Sequence, residues 1–402
     1  MPQSQLTTVA AAVCTAVLVC APVAEAQPSA LRAIEPGRLQ AVVDTASQEM
    51  LIPGVFVSVQ TPEGTYTAAA GSTELGTSIL PRPETHFRIA SNTKTMTAAL
   101  IVLLAQDGAL ALDDPVSAYV PDVPNGENIT LAQLLTMRSG LYGYTDAPEL
   151  SSALDADPDR TWTPAEVLAL AFARAPLFDP GAEYDYSNTN YALLGLVSEK
   201  VGGQPLAVLF RERLYGPLGL TQTLLPAGTD MPTPFSHGYM YGGTSYALVD
   251  SEYPVDMQNA AHAGTLLPDD YSFQNPSYAS AAGGAVSTAA DLGVWIRELV
   301  SGRVFNAEWQ QRWRNSLVPE DPAAPDGQKY GYGISHQRFG PQAAMYYHGG
   351  ELPGFNSFMG YDPDNDVSLV IWTNLTLSPD GRTTANALLP SVLRLVYREL
   401  DF

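Results

Sequence analysis

Hydrophobic and polar positions alternate with the period of a β-strand near both ends of the chain. Residues 55–71 fit two strands joined across a Pro-Glu-Gly turn, and residues 355–375 repeat this hairpin pattern. A helical periodicity precedes the first hairpin at residues 35–51, and another follows the second hairpin at about 382–400. The two ends therefore predict one antiparallel sheet that is flanked by the terminal helices.

The middle of the chain has mainly helical periodicity. Thr163, followed three residues later by Glu166, has the form of a capping box at the start of one helix. A similar start is predicted at Ser287. Short helical segments of this kind predict a helical region inserted between the two parts of the sheet.

These patterns together predict an α+β fold with two structural regions. Residues 27–111 and 291–402 would form the α/β sheet domain, and residues 112–290 would form the inserted, mainly helical domain. The length of 402 residues, with 46% hydrophobic and 15% charged residues, suits a chain that buries a large core.

Residues 1–26 differ in composition from the rest of the chain. They are largely apolar, contain no lysine or arginine, and end in a small-x-small pattern at Ala26. This pattern is typical of a secretory signal peptide, so we expect a secreted or extracytoplasmic protein. If the leader is not cleaved, its apolar run at residues 7–23 would be a membrane anchor. Both cysteines lie in this leader, so the mature chain would have no thiolate metal site.

The charge and the histidine spacing exclude other classes of function. The formal net charge of −22 would repel phosphate backbones, which argues against nucleic acid as a partner. The histidines do not form the His-x-x-x-His pair of a helix-borne metal site. We therefore predict no metal and no cofactor.

Candidate chemistry begins at the segment FRIASNTKTM. Ser91 would cap an apolar helix that stops at Gly108, and Lys94 would lie one turn further along the same face. A serine hydroxyl becomes a good nucleophile when a base takes its proton, and a lysine can be that base if burial lowers its pKa. The Ser-x-x-Lys pattern alone is weak, because a serine that only caps the helix gives the same pattern.

Two further motifs strengthen the interpretation. Tyr186-Ser187-Asn188 stands just before an apolar helix, and His348-Gly349-Gly350 stands at the end of a predicted strand. With Ser-x-x-Lys, and in this order, these motifs resemble the signature of the serine β-lactamase and penicillin-binding protein superfamily. The resemblance extends over roughly residues 35–400. It is closest to the class C branch and its secreted D-alanyl-D-alanine carboxypeptidases, and it implies a β-lactamase/transpeptidase-like fold.

The resemblance implies catalytic roles for three residues and a binding role for a fourth. Ser91 would be the nucleophile, and Lys94 with Tyr186 would form the proton-transfer pair. Because a tyrosine ordinarily has a pKa of about 10, Tyr186 could act as a base only if the Lys94 ammonium stabilised its phenolate. Asn188 would bind Lys94 and the substrate amide.

The third motif is implied to bind the substrate. His348 would replace the lysine that is usual there, with less positive charge at neutral pH. Gly349 and Gly350 would let the substrate backbone approach closely. The backbone N–H groups of Ser91 and Glu351 would form the oxyanion hole.

Substrate preference depends on departures from the carboxypeptidase pattern. In the carboxypeptidases that this chain resembles, threonines at the positions of Gly349 and Glu351 help to hold the terminal carboxylate of the substrate. A Glu351 side chain that points into the cleft would repel such a carboxylate and favour amides, esters or peptides with a free amine. Strand side chains alternate, so the opposite orientation stays open. Tyr142 would border the cleft.

The sequence thus predicts a secreted serine hydrolase that forms an acyl-enzyme at Ser91. Its substrate would be a small peptide, amide or ester, and a β-lactam would be a covalent inhibitor. A D-alanyl-D-alanine carboxypeptidase or a related D-amino-acid peptidase is the leading interpretation. A carboxylesterase, a β-lactamase of the same fold and a non-catalytic cell-wall-binding protein stay open as alternatives.

Overall fold

The computed structural model describes Met1 and residues 30–249 and 252–402. The predicted signal peptide, apart from Met1, lies outside the described residues. No single helix within the described ranges is long and apolar enough to cross a membrane. One pair of consecutive helices, bent by 78°, meets that test only when the two are taken together.

The strands, in chain order, are β1 (Gly54–Thr61), β2 (Gly64–Gly71), β3 (Phe87–Arg88), β4 (Tyr239–Met240), β5 (Asp269–Asp270), β6 (Val286–Ser287), β7 (Val318–Pro319), β8 (Lys329–Tyr330), β9 (Ser335–Gly340), β10 (Ala343–Leu352), β11 (Phe355–Asp362) and β12 (Val367–Thr373).

Eight of these strands form one antiparallel sheet in the order β2-β1-β12-β11-β10-β9-β8-β7. The first and last hairpins meet where β1 pairs with β12, with Val55 opposite Thr373. The predicted sheet built from both ends of the chain is therefore confirmed, and so is the α+β class.

The helices, in chain order, are α1 (Pro36–Glu49), α2 (Thr93–Gln106), α3 (Leu131–Leu135), α4 (Pro148–Ala156), α5 (Pro164–Phe172), α6 (Asn188–Gly202), α7 (Leu206–Phe210), α8 (Gly216–Leu218), α9 (Ser245–Leu248), α10 (Val255–His262), α11 (Ser280–Gly283), α12 (Ala289–Ser301), α13 (Ala307–Asn315) and α14 (Thr384–Val396). Short 3₁₀ turns lie at Ala90–Asn92, Val116–Ala118, Tyr144–Asp146 and Pro276–Tyr278, and a π-helical turn lies at Arg211–Tyr215.

Helix starts follow the capping rules, with one correction. Thr163 and Glu166 form the predicted capping box of α5. The prediction that α12 starts at Ser287 was wrong, because Thr288 caps this helix through the backbone N–H of Asp291. Ser287 instead belongs to β6.

Helices cover both faces of the sheet, which explains why β11 and β12 are buried along their whole length. Along β12, Ile371 faces the core that contains α1 and α14, and Trp372 faces the core that contains α2 and α12. Helix α2 is buried from Thr93 to Ala105 and packs mainly against α6 and α11. The division into 27–111 with 291–402 and 112–290 stays a prediction, and its boundary at 291 falls within α12.

Candidate active site

Ser91 lies in a strained turn just before α2. The preceding residue, Ala90, has φ of +49°, in the left-handed region, which costs a residue with a side chain about 1 to 3 kcal/mol. Thr93 Oγ1 donates to the Ala90 carbonyl at 2.7 Å, and Asn92 Nδ2 donates to the Ile89 carbonyl at 2.9 Å. These hydrogen bonds fix the turn, so that Ser91 is held in one position.

Ser91 does not cap the helix, contrary to the expectation from the sequence. Helix α2 begins at Thr93, and the cap position falls on Asn92. The Ser91 hydroxyl instead lies 2.9 Å from Lys94 Nζ. The interpretation of Ser91 as a mere helix cap is therefore wrong, because its side chain is paired with the lysine.

Lys94 is completely buried and is surrounded by oxygen atoms. Its Nζ lies 2.9 Å from Ser91 Oγ, 2.6 Å from Asn188 Oδ1 and 2.8 Å from the Ala282 carbonyl. Burial lowers the pKa of Lys94 well below its usual value. A neutral amine suits these contacts, since two N–H groups can donate to the carbonyl oxygens while the lone pair accepts the Ser91 proton.

Tyr186 faces both Ser91 and the open cleft. Its ring lies 4.9 Å from Lys94 Nζ, and its hydroxyl is hydrogen-bonded to Ser91. Although 40% of the residue is exposed, burial raises its pKa, and the Glu351 charge raises it further, whereas the hydrogen bond with Ser91 lowers it. The hydroxyl points inward, so its burial outweighs the exposure of the ring. Tyr186 is thus a neutral phenol, so the condition under which it could act as a base, a phenolate stabilised by Lys94, is not met.

Asn188 uses both ends of its side-chain amide within the protein. Its Oδ1 accepts from Lys94, and its Nδ2 donates to Thr145 Oγ1 at 3.1 Å. It is the first residue of α6, so the start of that helix sets its position. Asn188 lines the cleft and holds the Lys94 side chain against Ser91.

His348 is buried and neutral. Its Nδ1–H donates to the carbonyl of the next residue, Gly349, at 2.6 Å. Its Nε2 accepts from the Tyr330 hydroxyl at 3.1 Å. Burial is the main cause that lowers the pKa of His348 to about 3, and a proton on the nearby Lys94 amine would act in the same direction. The sequence predicted less positive charge here than a lysine would give, and His348 in fact has no charge at neutral pH. Both of its ring nitrogens are hydrogen-bonded within the protein.

The two glycines of the third motif face opposite sides of the sheet. A Cβ on Gly350 would overlap the carbonyl oxygen of Ile89, next to Ser91. A Cβ on Gly349 would lie 3.7 Å from Asn386 Oδ1, on α14. Gly350 is therefore required for packing against the turn before Ser91, a role that the sequence did not predict.

Glu351 lies on the α14 side of β10. Its cross-strand partner is Asn356, whose Nδ2 donates to Glu351 Oε2 at 3.4 Å and whose Oδ1 accepts from the Ala385 N–H of α14 at 2.8 Å. Glu351 nevertheless lines the same cavity as Ser91. The sequence left the orientation of the Glu351 side chain open. In the structure the side chain lines the cavity, although it lies on the face of β10 opposite Ser91.

The cleft has a volume of about 640 Å³ and is lined by residues from both faces of β10. Besides Ser91, Tyr186, Asn188 and the segment His348–Glu351, it is lined by Thr145, Asp146, Tyr184, Ala247, Leu248, Gln328, Tyr330, Ser335, Gln337, Phe339, Tyr347, Asn356, Phe358, Asn386 and Leu389. Asp146 and Glu351 are its carboxylates, and these lining residues include no lysine or arginine. The open surface of the cleft is therefore acidic.

Tyr142 lies outside this lining, which corrects its prediction as a substrate contact. Its hydroxyl donates to the Asp146 carbonyl at 3.0 Å, and the Arg174 guanidinium lies 5.0 Å from the centre of its ring. Tyr142 thus supports the turn that carries Thr145 and Asp146.

Among the described residues, no group of three or more His, Cys, Asp or Glu side chains could hold a metal ion.

Sequence reasoning missed several residues of the cleft. Asp146 and Thr145 follow the segment of Tyr142 closely enough to have been found by extending that argument along the chain. Tyr330 and Asn386 carry no recognisable motif, because they reach the cleft from β8 and α14 only through tertiary packing.

Comparisons with known proteins agree with this geometry. A family model described as Beta-lactamase matches residues 39–393. The structure of a D-stereospecific amidohydrolase from Streptomyces sp. shares 29% identity, with coverage of 88% of this chain and 99% of that chain and a TM-score of 0.74. The D-amino acid amidase from Ochrobactrum anthropi SV3, complexed with L-phenylalanine amide, shares 25% identity, with coverage of 89% and 96% and a TM-score of 0.73.

A curated relative, Protein flp of Staphylococcus aureus (strain N315), is 25% identical over 347 residues, which is 84% of this chain. The match spans 63% of the length of that relative.

Proposed function

This chain belongs to the β-lactamase family and is a serine hydrolase of that family. We propose that it hydrolyses amides and short peptides whose acyl part is a D-amino acid with a free amine. Ser91 would form the acyl-enzyme. The acidic cleft is the observation that carries the choice of substrate, because Asp146 and Glu351 would attract an ammonium group and repel a free carboxylate.

The contacts of Lys94 support its role as the base in acylation. Neutral Lys94 would take the proton of Ser91 while the Ser91 oxygen attacks the substrate carbonyl carbon. The hydrogen bonds to Asn188 and Ala282 would then stabilise the resulting ammonium. The backbone N–H groups of Ser91 and Glu351 are the proposed donors to the oxyanion of the tetrahedral intermediate.

Tyr186 suits the role of the acid that releases the amine. As a phenol, it can give its proton to the leaving nitrogen as the C–N bond breaks, and it can regain a proton from the Lys94 ammonium. In deacylation a water molecule would attack the ester carbonyl carbon and give a proton to the Lys94–Tyr186 pair. This pair would then protonate the Ser91 oxygen as its bond to the acyl carbon breaks and the carboxylic acid product is released.

The similar structures support an amide rather than a free-acid substrate. One is of a D-stereospecific amidohydrolase and another is of a D-amino acid amidase, which are properties of those proteins. The position of Glu351 weakens the D-alanyl-D-alanine carboxypeptidase interpretation, since that substrate ends in a carboxylate. Carboxylesterase and β-lactamase activity are kept as outcomes of the test.

A substrate panel tests the proposed function. Purified wild type would be assayed with a D-amino acid amide, its L-enantiomer, a D-Ala-D-Ala peptide acid, a p-nitrophenyl ester and a cephalosporin, with Ser91→Ala as the control. We expect the highest kcat/KM with the D-amino acid amide and none above background in the control. Faster turnover of the peptide acid, the ester or the cephalosporin would overturn the proposal.

We also propose that the protein acts outside the cytoplasm, on the basis of its leader sequence. Mass spectrometry of the protein recovered from the producing cells would give its amino terminus. A mature chain that starts at Gln27 is expected, and an intact leader on a protein from the cytoplasmic fraction would contradict this expectation.

A further inference from the structure

The proposed base is held in part by a carbonyl group of α11, a short helix outside the three sequence motifs. The carbonyl oxygen of Ala282 in this helix lies 2.8 Å from Lys94 Nζ. Carbonyl groups in the last turn of a helix have no partner within the helix, so they accept hydrogen bonds from outside it. The position of α11 therefore sets one of the three oxygen contacts of the Lys94 amine.

Thr97 lies one helical turn after Lys94, on the same face of α2. Its Oγ1 donates to the carbonyl oxygen of Ala281 at 2.7 Å, and this carbonyl directly precedes the one that Lys94 contacts. Thr97, Ala281 and Ala282 are all buried. Two side chains on one face of α2 thus bind consecutive carbonyl groups of α11.

Helix α11 is held by its neighbours on both sides. It begins at Ser280, whose φ of +32° is a strained conformation that persists only where surrounding contacts hold it. On the α6 side, a Cβ on Gly195 would lie 2.6 Å from the Ala281 Cβ, so the two helices are in close contact. On the α2 side, Thr93 Oγ1 accepts from the N–H of Ala285, just after α11, at 3.1 Å. The loss of one such contact therefore allows α11 to shift.

Titratable groups face Lys94 from the other elements packed against it. The rings of Tyr186 and Tyr191 lie 4.9 and 5.7 Å from Lys94 Nζ, and His348 of β10 is close enough for a proton on Lys94 to lower its pKa. Helix α11 has no titratable side chain, so it acts on the amine through the Ala282 carbonyl. A carbonyl acceptor stabilises an ammonium more than a neutral amine, so a displaced carbonyl lowers the pKa of the base.

We propose that Thr97 is a positioning residue for the reaction, because its hydroxyl holds α11 where the Ala282 carbonyl contacts Lys94. This inference rests on the proposed function, in which Lys94 is the base. Thr97 does not touch the substrate. It sets the basicity of the Lys94 amine, and through it the rate at which the Ser91 oxygen attacks.

The first experiment measures the pKa of Lys94 directly. The chain has three lysines, Lys94, Lys200 and Lys329, so NMR of protein labelled with ¹³C at the lysine ε-carbons gives a small set of signals. The signal that is absent in Lys94→Met is that of Lys94. We expect its pKa to be lower in Thr97→Val than in wild type by about 0.5 to 1 pH unit, since the carbonyl that favours the ammonium form is displaced.

Two control variants separate positioning from packing. Thr95→Val removes another buried hydroxyl of α2, which donates to the Asn92 carbonyl and accepts from Trp295 Nε1, and it leaves the contacts with α11 in place. Thr97→Ser keeps the hydroxyl and removes only a methyl group. We expect the wild-type Lys94 pKa in both variants. An equal fall of this pKa in Thr95→Val would overturn the inference, because any loosening of α2 would then be sufficient.

The second experiment measures how fast Ser91 reacts. A fluorophosphonate probe would label Ser91 in wild type and in each variant over a range of pH. We expect Thr97→Val to lower the plateau rate by about threefold or more, because a weaker base takes the Ser91 proton less readily. The acid limb of the pH profile should move to lower pH together with the Lys94 pKa, whereas Thr97→Ser should keep the wild-type profile.

The outcomes separate this inference from the proposed function. If the probe does not label Ser91 in wild type, or labels Lys94→Met as fast as wild type, the proposed function fails. If Ser91 is labelled normally but folded Thr97→Val has an unchanged or raised Lys94 pKa, or an unchanged rate, only the inference fails. Thr97→Ala, which removes the hydroxyl without a replacement methyl group, takes the place of Thr97→Val if thermal unfolding shows that the valine variant is not folded.

Discussion

The two faces of β10 differ in how their polar groups are paired. On the face toward Ser91, His348 is hydrogen-bonded at both ring nitrogens and Gly350 packs against the Ile89 carbonyl. On the face toward α14, Gly349 faces the Asn386 side chain and Glu351 lines the cavity. One strand thus has a closed face, whose polar groups are paired within the protein, and an open face that lines the cavity.

This difference leads to opposite expectations for substitutions. On the closed face, a polar group that loses its partner is left buried, so changes there should affect turnover or folding for every substrate. On the open face, water can replace a lost contact, so changes should alter the ranking of substrates more than the chemistry.

The largest effect is expected at the nucleophile of the closed face. Ser91→Ala should abolish covalent labelling by a fluorescent penicillin and lower turnover by about 10⁴-fold or more, because no acyl-enzyme can form. Mass spectrometry of the labelled wild type should place the adduct on Ser91. Undiminished labelling of the variant would show that another residue is the nucleophile.

The next largest effect concerns the proton-transfer pair. Lys94→Met, which keeps the length of the buried chain, and Tyr186→Phe should each lower kcat by about 100-fold or more. Since the neutral amine is the proposed base and its pKa is lowered by burial, wild-type kcat/KM should fall as the pH falls through that lowered pKa.

Thermal unfolding of Lys94→Met and Tyr186→Phe should occur near the wild-type Tm, which would separate lost chemistry from lost folding. Near-wild-type rates in both variants would remove the proposed base and acid.

A smaller and selective effect is expected on the open face. Glu351→Thr removes a charge that faces the cavity, so the ratio of kcat/KM for a free-acid substrate to that for the matched amide should rise by about tenfold for each 1.4 kcal/mol of repulsion removed. Glu351→Gln is the isosteric control and should raise the ratio similarly. An equal change for acid and amide would place the effect on the strand rather than on the charge.

The smallest effect at neutral pH is expected for the charge state of His348. Its pKa is about 3 in the folded protein against the ordinary 6.5, so stability is lost as the pH falls from 6.5 toward 3, where the unfolded chain binds a proton that the folded protein does not. This loss has a slope of up to about 1.4 kcal/mol per pH unit.

His348→Gln should remove that part of the acid sensitivity. Urea unfolding of wild type and variant at several pH values would measure it, with the comparison at pH above 7 as the reference. Parallel pH curves for the two proteins would mean that His348 does not titrate as its buried, hydrogen-bonded position implies.

Local patterns were enough to predict most elements of the sheet and of the catalytic face. The two hairpins, α1 and α2 were predictable because alternation, periodicity and turn residues act within a few neighbouring positions. The order of the three motifs likewise predicts that Ser91, Lys94, Tyr186 and His348 belong to one site.

Predictions about fine geometry were less successful, because they depended on competition between neighbours. Serine often caps helices, yet the helix begins after Asn92, and the Ser91 side chain is hydrogen-bonded to Lys94 instead. Tyr142 was expected in the cleft, but Asp146 and Arg174 hold its side chain outside.

The sequence by itself determined that Gly349 and Glu351 share one face of a strand, because side chains alternate with a fixed period of two. It did not determine which face. Only the tertiary structure decided this, since the pairing of Glu351 with Asn356 and of Asn356 with α14 turns that face away from Ser91. The neutral state of His348 was decided in the same way, because burial lowers its pKa and the Tyr330 hydroxyl, contributed by a separate strand, is hydrogen-bonded to its Nε2.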